Sequence, residues 1–319
     1  MSSDKLSIAD SRVQHCFAVL NGQSYHYLLG TPSKSPRATI FLIHGWPDFS
    51  FGWRYQIPVL LSLNLQVVVP DMMGYGLTAS PHALKFYTMK RAAQDMVALA
   101  KQLKALQIIL LGHDWGGTVV YRIALWYPEI VIAVLSVCTP YARPNKTCTP
   151  IEDLVKKLPN FAYQKQLASG EVEKRIRSTQ EIRDLLNAMY EGVAQGARAG
   201  FVSEQGVLFT NLHGLKRTHL LTEEELDYYA GAYSRNDLRG TLNWYRARQL
   251  NHTDEQEMAN VKGLKITQPA LFISARRDKS LPHSMSRGME QHFNTLKRAE
   301  VDAGHWALWQ VPDEFNSII

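Results

Sequence analysis

The chain has 319 residues, 45% of them hydrophobic and 20% charged. That composition fits an ordinary globular protein: one large domain, or a domain carrying an insertion. The net charge of +6 is modest, and Lys and Arg are interleaved with Asp and Glu, so no polybasic arm supports a nucleic-acid or membrane-surface role. Cys16, Cys138 and Cys148 form no paired framework and no CxxC spacing, as expected of thiols in a reducing compartment. No stretch reaches the roughly 18 apolar residues of a membrane span. The start, MSSDKLSIADS, has no apolar leader core, and the end, NSII, is no peroxisomal address. The expectation is a cytoplasmic protein.

In chain order, the first signal is a hairpin around Asn21-Gly22, within HCFAVLNGQSYHYLLG. ATIFLIHG (38–45) and LQVVVPD (65–71) are short, continuous, β-branched-rich runs, which suit strands buried on both faces of a parallel sheet. Met89, Ala93, Met96, Val97, Ala100 and Leu103 recur at helical spacing and predict a helix over 88–104. QIILLG is the next strand, and IVIAVLSVCTP (130–140) another, closed by Pro140. From 141 to 251 the alternation stops. EVEKRIRSTQEIRDLLNAMYEG and TEEELDYYAGAYSRN read as helical, Thr222 and Glu225 form a capping box, and no strand is expected there. The alternation resumes with QPALFISARRD (268–278), a helix over 283–292, a strand RAEVDAGH (298–305) and a final helix. That last helix reads as short, so a longer natural chain is expected. The predicted fold class is α/β: a core over 1–140 and 252–319 with a mostly parallel sheet, interrupted by a helical cap over 141–251.

The chemistry concentrates at three strand ends. Gly112-His113-Asp114-Trp115-Gly116-Gly117 has small residues flanking a central nucleophile position. A strand that turns sharply into a helix needs that pattern, and it exposes the central side chain at the carboxyl end of the sheet. Alone, the stretch would read equally as a glycine-rich turn with a solvated Asp. A carboxylate with an ordinary pKa of about 3.9 is already ionised at neutral pH. It attacks carbon without a base and forms an ester with the enzyme. Hydrolysis of that ester does need a base, and His305 in VDAGHW supplies one. Asp278, closing ALFISARRD, orients the imidazole. Asp302 and Asp313 compete for that role; Asp302 lies within the strand carrying His305, and Asp313 lies past the histidine. Nucleophile, acid, histidine is the α/β-hydrolase chain order. HGWP (44–47) ends a strand, and its Trp46 amide, with that of Trp115, would form an oxyanion hole on the Asp114 carboxyl during ester hydrolysis. Trp46, Phe49, Trp115 and Trp306 are candidates for lining a hydrophobic substrate pocket or for bracing the loops. No metal-ligand cluster or nucleotide fingerprint is present, so neither metal nor cofactor is expected.

These motifs resemble the soluble epoxide hydrolases of the α/β-hydrolase superfamily, most nearly their fungal members. The likeness runs from FLIHGWPDFSFGWRYQIPVL through VVVPDMMGYG, LLGHDWGGTVVYRIA and LRGTLNWYRARQLN to AEVDAGHWALWQ. HGxP or GHDWG alone would not separate this family from haloalkane dehalogenases; HGWP, GHDWGG and LNWYR together do. The resemblance implies two cap tyrosines that hold the epoxide oxygen. NWYR gives Tyr245, and FAYQ gives Tyr163. Two phenols would polarise the breaking C–O bond, and one would pass a proton to the nascent alkoxide. Tyr228, Tyr229 and Tyr233 are expected to be packing residues, and Arg54 in FGWR structural. The expected partners are a small hydrophobic epoxide and water, with a homodimer allowed, no nucleic acid and no membrane. Other readings stand beside this one: haloalkane or haloacid dehalogenation through the same aspartate, an epoxide-opening enzyme of secondary metabolism that cyclises its product, and a non-catalytic binding protein on the scaffold. Dehalogenases of the haloalkane type usually carry Asn where this chain has Trp46.

Overall fold

In the computed structural model, which describes residues 4–319 except 194, 195 and 197, the first hairpin forms where Asn21-Gly22 places it. β1 (Val13–Leu20) and β2 (Gln23–Gly30) pair antiparallel. Asn21 and Gly22 take φ of 45° and 82°, the left-handed pair that a two-residue hairpin requires. β3 (Ala38–Ile43), β4 (Leu65–Pro70), β5 (Ile108–His113) and β6 (Val131–Val137) follow. A two-residue hairpin, β7 (Phe201–Val202) and β8 (Gly206–Val207), stands apart. β9 (Ala270–Ala275) and β10 (Leu296–Val301) complete the set. The main sheet runs β1-β2-β4-β3-β5-β6-β9-β10. It is parallel from β4 to β10, with β1 and β2 antiparallel at one edge. Phe41, Leu42, Val68, Val69, Leu110 and Leu111 are all fully buried. Their unbroken apolar runs reflect a sheet covered on both faces.

The core helices are α1 (Ile57–Ser62), α2 (Met89–Gln102) and α3 (Trp115–Trp126). Between β6 and β9 lie α4 (Ile151–Lys157), α5 (Ala162–Ser169), α6 (Glu171–Arg175), α7 (Thr179–Met189), α8 (Glu223–Ser234), α9 (Arg239–Arg246), α10 (Arg248–Asp254) and α11 (Gln256–Asn260). α12 (Ala307–Gln310) and α13 (Pro312–Ile318) end the chain. The last helices of the inserted region return to the sheet layer. Asn251 Oδ1 accepts a hydrogen bond from the Met89 amide at 2.7 Å, and Glu255 pairs with the buried Arg122 of α3 at 2.6 Å. Among the described residues no helix is long and apolar enough to cross a membrane.

Four details differ from the sequence expectation. The helix predicted over 283–292 is two short 3-10 turns, His283–Ser286 and Met289–His292, because Gly288 between them takes a φ of 74° and breaks any continuous ladder. The strand predicted over 298–305 stops at Val301, so His305 sits on a loop. The helical stretch 171–192 splits into α6 and α7, because Ser178 opens a new helix with a full capping box to Glu181. β7 and β8 appear where no strand was expected; two-residue strands are too short to show alternation. The Thr222–Glu225 box forms as predicted.

Candidate active site

β5 ends at His113 and α3 starts at Trp115, so Asp114 alone carries the reversal, at φ 53° and ψ −124°. Positive φ is costly for a residue with a side chain, and the surroundings must enforce it. The glycines on either side allow the approach that does so. A Cβ on Gly116 would lie 1.9 Å from the Ile43 carbonyl oxygen. Thr139 Oγ1 donates to the Asp114 carbonyl at 2.7 Å and pins the turn from β6. From β3, the HGWP loop closes over the same carboxylate. The Trp46 amide donates to Asp114 Oδ1 at 2.8 Å, and the adjacent Trp115 amide also favours the charged carboxylate. Gly45 is required here, because a Cβ on it would stand 2.2 Å from Asp114 Oδ1.

The second Asp114 oxygen faces the histidine. Asp114 Oδ2 lies 3.7 Å from His305 Nε2, and His305 Nδ1 is 2.8 Å from Asp278 Oδ2. Asp278 is held in turn by the Ser280 and Leu281 amides, at 2.8 and 2.9 Å, on its other oxygen. Burial disfavours a charge on His305, but Asp278 and Asp114 together outweigh it and raise its pKa to about 9. Burial pushes Asp114 above the ordinary carboxylate value, against the pull of His305 and the two amides. Burial pushes Asp278 the same way, but there His305 and the amides win and its pKa falls.

Asp114, His305 and Asp278 line a cavity of about 590 Å3 together with Tyr163, Tyr245, Trp46 and Trp306. The two tyrosine rings come from α5 and α9 and meet edge-on at 6.1 Å. The Tyr245 ring also leans on Trp46 at 5.8 Å and Trp115 at 5.3 Å. Burial pushes both phenols above the usual tyrosine value, so both remain protonated donors across the working range. The Trp46 indole donates to Thr241 Oγ1 of α9 at 3.2 Å, and the Trp46–Pro47 peptide is cis.

Seven of the nine site residues expected from sequence thus share one cavity. Two do not line it. Phe49 is buried with its ring 4.6 Å from Tyr229 and 5.5 Å from Tyr228. It braces the HGWP loop against α8, and the assignment as a substrate contact is corrected. Trp115 presents its amide to Asp114 and its ring to Tyr245; its side chain supports the pocket from outside. Asp302 and Asp313 are no rivals to Asp278. Asp302 pairs with Arg277 at 3.5 Å, and Asp313 lies in the first turn of α13. Arg54 is fully buried, 4.5 Å over the Trp309 ring and 3.3 Å from Glu225. Tyr229 and Tyr233 are buried and donate to Asp48 Oδ1 and Asp48 O.

Sequence reasoning missed the residues under the histidine. His113 Nε2 lies 2.8 Å from the His305 carbonyl, and Cys138 Sγ lies 3.6 Å from the same oxygen. Burial lowers the His113 pKa to about 3, so the neutral ring donates its Nε2 proton. Ligand atoms of His113, Cys138 and His305 cluster within 4.8 Å, but the first two are turned to the His305 carbonyl and the third to Asp278. His113 was visible in GHDWGG; its partner, far along the chain, was not. Burial also raises the pKa of Asp48, beside Pro47, to about 7. Its Oδ1 takes the Phe49 amide at 2.8 Å and fixes the loop.

The arrangement joins a carboxylate held by amides, two phenol donors and a His–Asp pair around one partly apolar cavity. A family profile described as "alpha/beta hydrolase fold" matches residues 38–312. An epoxide hydrolase of Neurospora crassa named srdG is 39% identical, covering 100% of this chain and 98% of its own length. The bifunctional epoxide hydrolase 2 of Mus musculus is 34% identical over 87% of this chain, and the chain spans 50% of that protein's length. The crystal structure of epoxide hydrolase A from Mycobacterium thermoresistibile superposes with a TM-score of 0.81, at 26% identity over 96% of each chain.

Proposed function

We propose a reaction from one premise: the chain belongs to the alpha/beta hydrolase fold family, and within it to the epoxide hydrolases. It converts an epoxide to a vicinal diol through a covalent ester on Asp114. What supports this most is the unequal use of the two Asp114 oxygens. Oδ1 is held by the Trp46 amide at 2.8 Å, while Oδ2, 3.7 Å from His305, is left to attack.

Asp114 Oδ2 attacks an epoxide carbon as the ring C–O bond breaks. Tyr163 and Tyr245 donate hydrogen bonds to the departing oxygen, and one phenol gives it a proton. The product of this half is an alkyl ester, a tyrosinate and a His305 still protonated. The ester carries no charge, so His305 has lost one of the two carboxylates that raise its pKa, Asp278 remaining, and its proton can pass to the tyrosinate. Neutral His305, oriented by Asp278, then takes a proton from water as the oxygen attacks the ester carbonyl. The oxyanion forms at Oδ1, the oxygen that the Trp46 amide holds, with the adjacent Trp115 amide as the second donor. Collapse breaks the bond from the acyl carbon to the alkyl oxygen; the leaving alkoxide takes the remaining water proton from the new carboxylic acid, which frees the diol and restores ionised Asp114 beside protonated His305. Every proton is accounted for within the site.

In this reading residues 1–140 and 252–319 form the catalytic core and 141–251 a cap that supplies Tyr163 and Tyr245. The substrate is a small hydrophobic epoxide, and three unpaired cysteines support a cytoplasmic location. Halide release through the same aspartate is the weaker reading: the indole N–H of Trp46 is committed to Thr241 rather than open to the cavity. A single turnover in oxygen-18 water tests the mechanism. The label should enter the Asp114 carboxylate, found by peptide mass analysis, and not the diol; label in the diol alone would refute a covalent ester.

A further inference from the structure

One connection at this site has no part in the chemistry above. The side chain of Gln310, at the end of α12, bridges two elements. Its Oε1 accepts from the Gly304 amide at 2.6 Å, and its Nε2 donates to Glu191 Oε1 at 2.7 Å. Gly304 directly precedes His305, and Glu191 directly follows the C-cap of α7. Glu191, Gly304 and His305 all line the cavity. Glu191 holds a left-handed φ of 69°, a conformation that a non-glycine residue adopts at a cost and that here turns its carboxylate toward the loop. Gly304 leaves room for it: a Cβ there would stand 3.2 Å from Glu191 Oε1 and 3.3 Å from the Gln310 amide. The same helix end is fastened to the loop twice more. The Trp306 indole donates to the Met189 carbonyl at 2.9 Å, and the Tyr190 ring packs edge-on against Trp306 at 4.9 Å.

We propose that the Glu191–Gln310–Gly304 bridge is a positioning device for His305, which ties the placement of the base in ester hydrolysis to the seating of α7. His305 lies past the end of β10 on a loop whose last backbone tie to the β9 side is the Ala303 carbonyl, which accepts from the Arg277 amide at 2.8 Å, and beyond that tie side chains hold the backbone on either side of the ring. His113 and Cys138 hold its carbonyl from the sheet side, and the bridge holds the preceding amide from the α7 side. The inference rests on the two-step mechanism above. In that mechanism alkylation uses Asp114 and the tyrosines, while hydrolysis alone uses His305 as a base. A loosened bridge therefore slows the second step and spares the first, and the alkyl-enzyme accumulates. A merely structural defect would slow both.

The variants are Gln310→Leu, which removes both bonds, and Glu191→Ala, an exposed position whose truncation should not impair folding. Glu191→Gln keeps an acceptor for the Gln310 amide and serves as the conservative rescue. Styrene oxide is the probe, with rapid-quench single turnovers and intact-protein mass. Expected is a fall in the hydrolysis rate of about tenfold in Q310L and in E191A, with the alkylation rate within twofold of the parent and the ester visible by mass. E191Q should recover most of the loss, and E191A/Q310L should be no worse than either single variant. Equal slowing of both steps, no slowing of hydrolysis, or no rescue by E191Q would overturn the bridge. Failure of the underlying mechanism looks different: no ester would form in any variant, His305→Gln included.

Discussion

Replacing Asp114 by Asn mimics, for His305, the loss of charge that ester formation brings. The carboxylate stands 3.7 Å from His305 Nε2. Two unit charges at that separation attract by about 4 kcal/mol at an effective dielectric constant of about 20, which caps the effect at roughly 3 pK units. The gap exceeds a hydrogen bond, and the two side chains are 17% and 11% exposed, so screening leaves about one to two units. The sign is fixed: an adjacent carboxylate favours imidazolium, so removing it lowers the pKa, from about 9 to roughly 7–8. At neutral pH the parent enzyme would hold His305 protonated, and D114N would hold a large neutral fraction. NMR titration of the His305 ring in both proteins reads this directly. A His305 pKa in D114N that stays within half a unit of the parent would refute the claim that alkylation switches the base on.

Three further outcomes follow from the geometry. Tyr245→Phe should slow alkylation by about 10²-fold in single turnovers while leaving hydrolysis of preformed ester nearly unchanged, and Y163F/Y245F should show no measurable ring opening. Gly45→Ala places a Cβ 2.2 Å from Asp114 Oδ1, so kcat/KM for styrene oxide should fall at least about 10²-fold with displacement of the nucleophile. Glu255→Gln leaves the Arg122 guanidinium buried without its bidentate partner and should cost about 3–5 kcal/mol in denaturant unfolding, with little effect on KM because neither residue lines the cavity.

The sequence exposed those parts of the fold whose causes are local. Asn21-Gly22 names its own turn, and continuous runs such as ATIFLI name a doubly covered strand. GHDWGG names a strand-to-helix corner, because only small residues clear the Ile43 carbonyl there. The chain order of Asp114, Asp278 and His305 suffices to bring them together once the strands are parallel. The misread parts are decided by tertiary contact. Phe49 reads as a pocket aromatic from its nearness to HGWP, yet its ring turns away, toward Tyr228 and Tyr229, which arrive from α8. Gln310 carries no local pattern, and its two partners come from the His305 loop and from the end of α7. The stretch over 283–292 has helical composition, but Gly288 at positive φ overrides it.

The site's least intuitive feature is a base that begins protonated. With two carboxylates beside it, His305 at a pKa of about 9 is the wrong species to activate water, and that suits the first half-reaction. Imidazolium holds Asp114 ionised although burial pushes the carboxyl pKa up, and it cannot generate hydroxide while the epoxide is still intact. Ester formation removes one of the two charges that kept the proton in place, and it leaves a tyrosinate that needs one. The same event therefore frees the base and regenerates the acid, with no proton drawn from solvent. A site with its histidine neutral from the outset would have to import that proton into a largely buried cavity between its two steps. The 3.7 Å spacing between His305 and Asp114 is what serves both halves: close enough to couple their charges, and wide enough that the nucleophile is not engaged in a hydrogen bond it must break before attack.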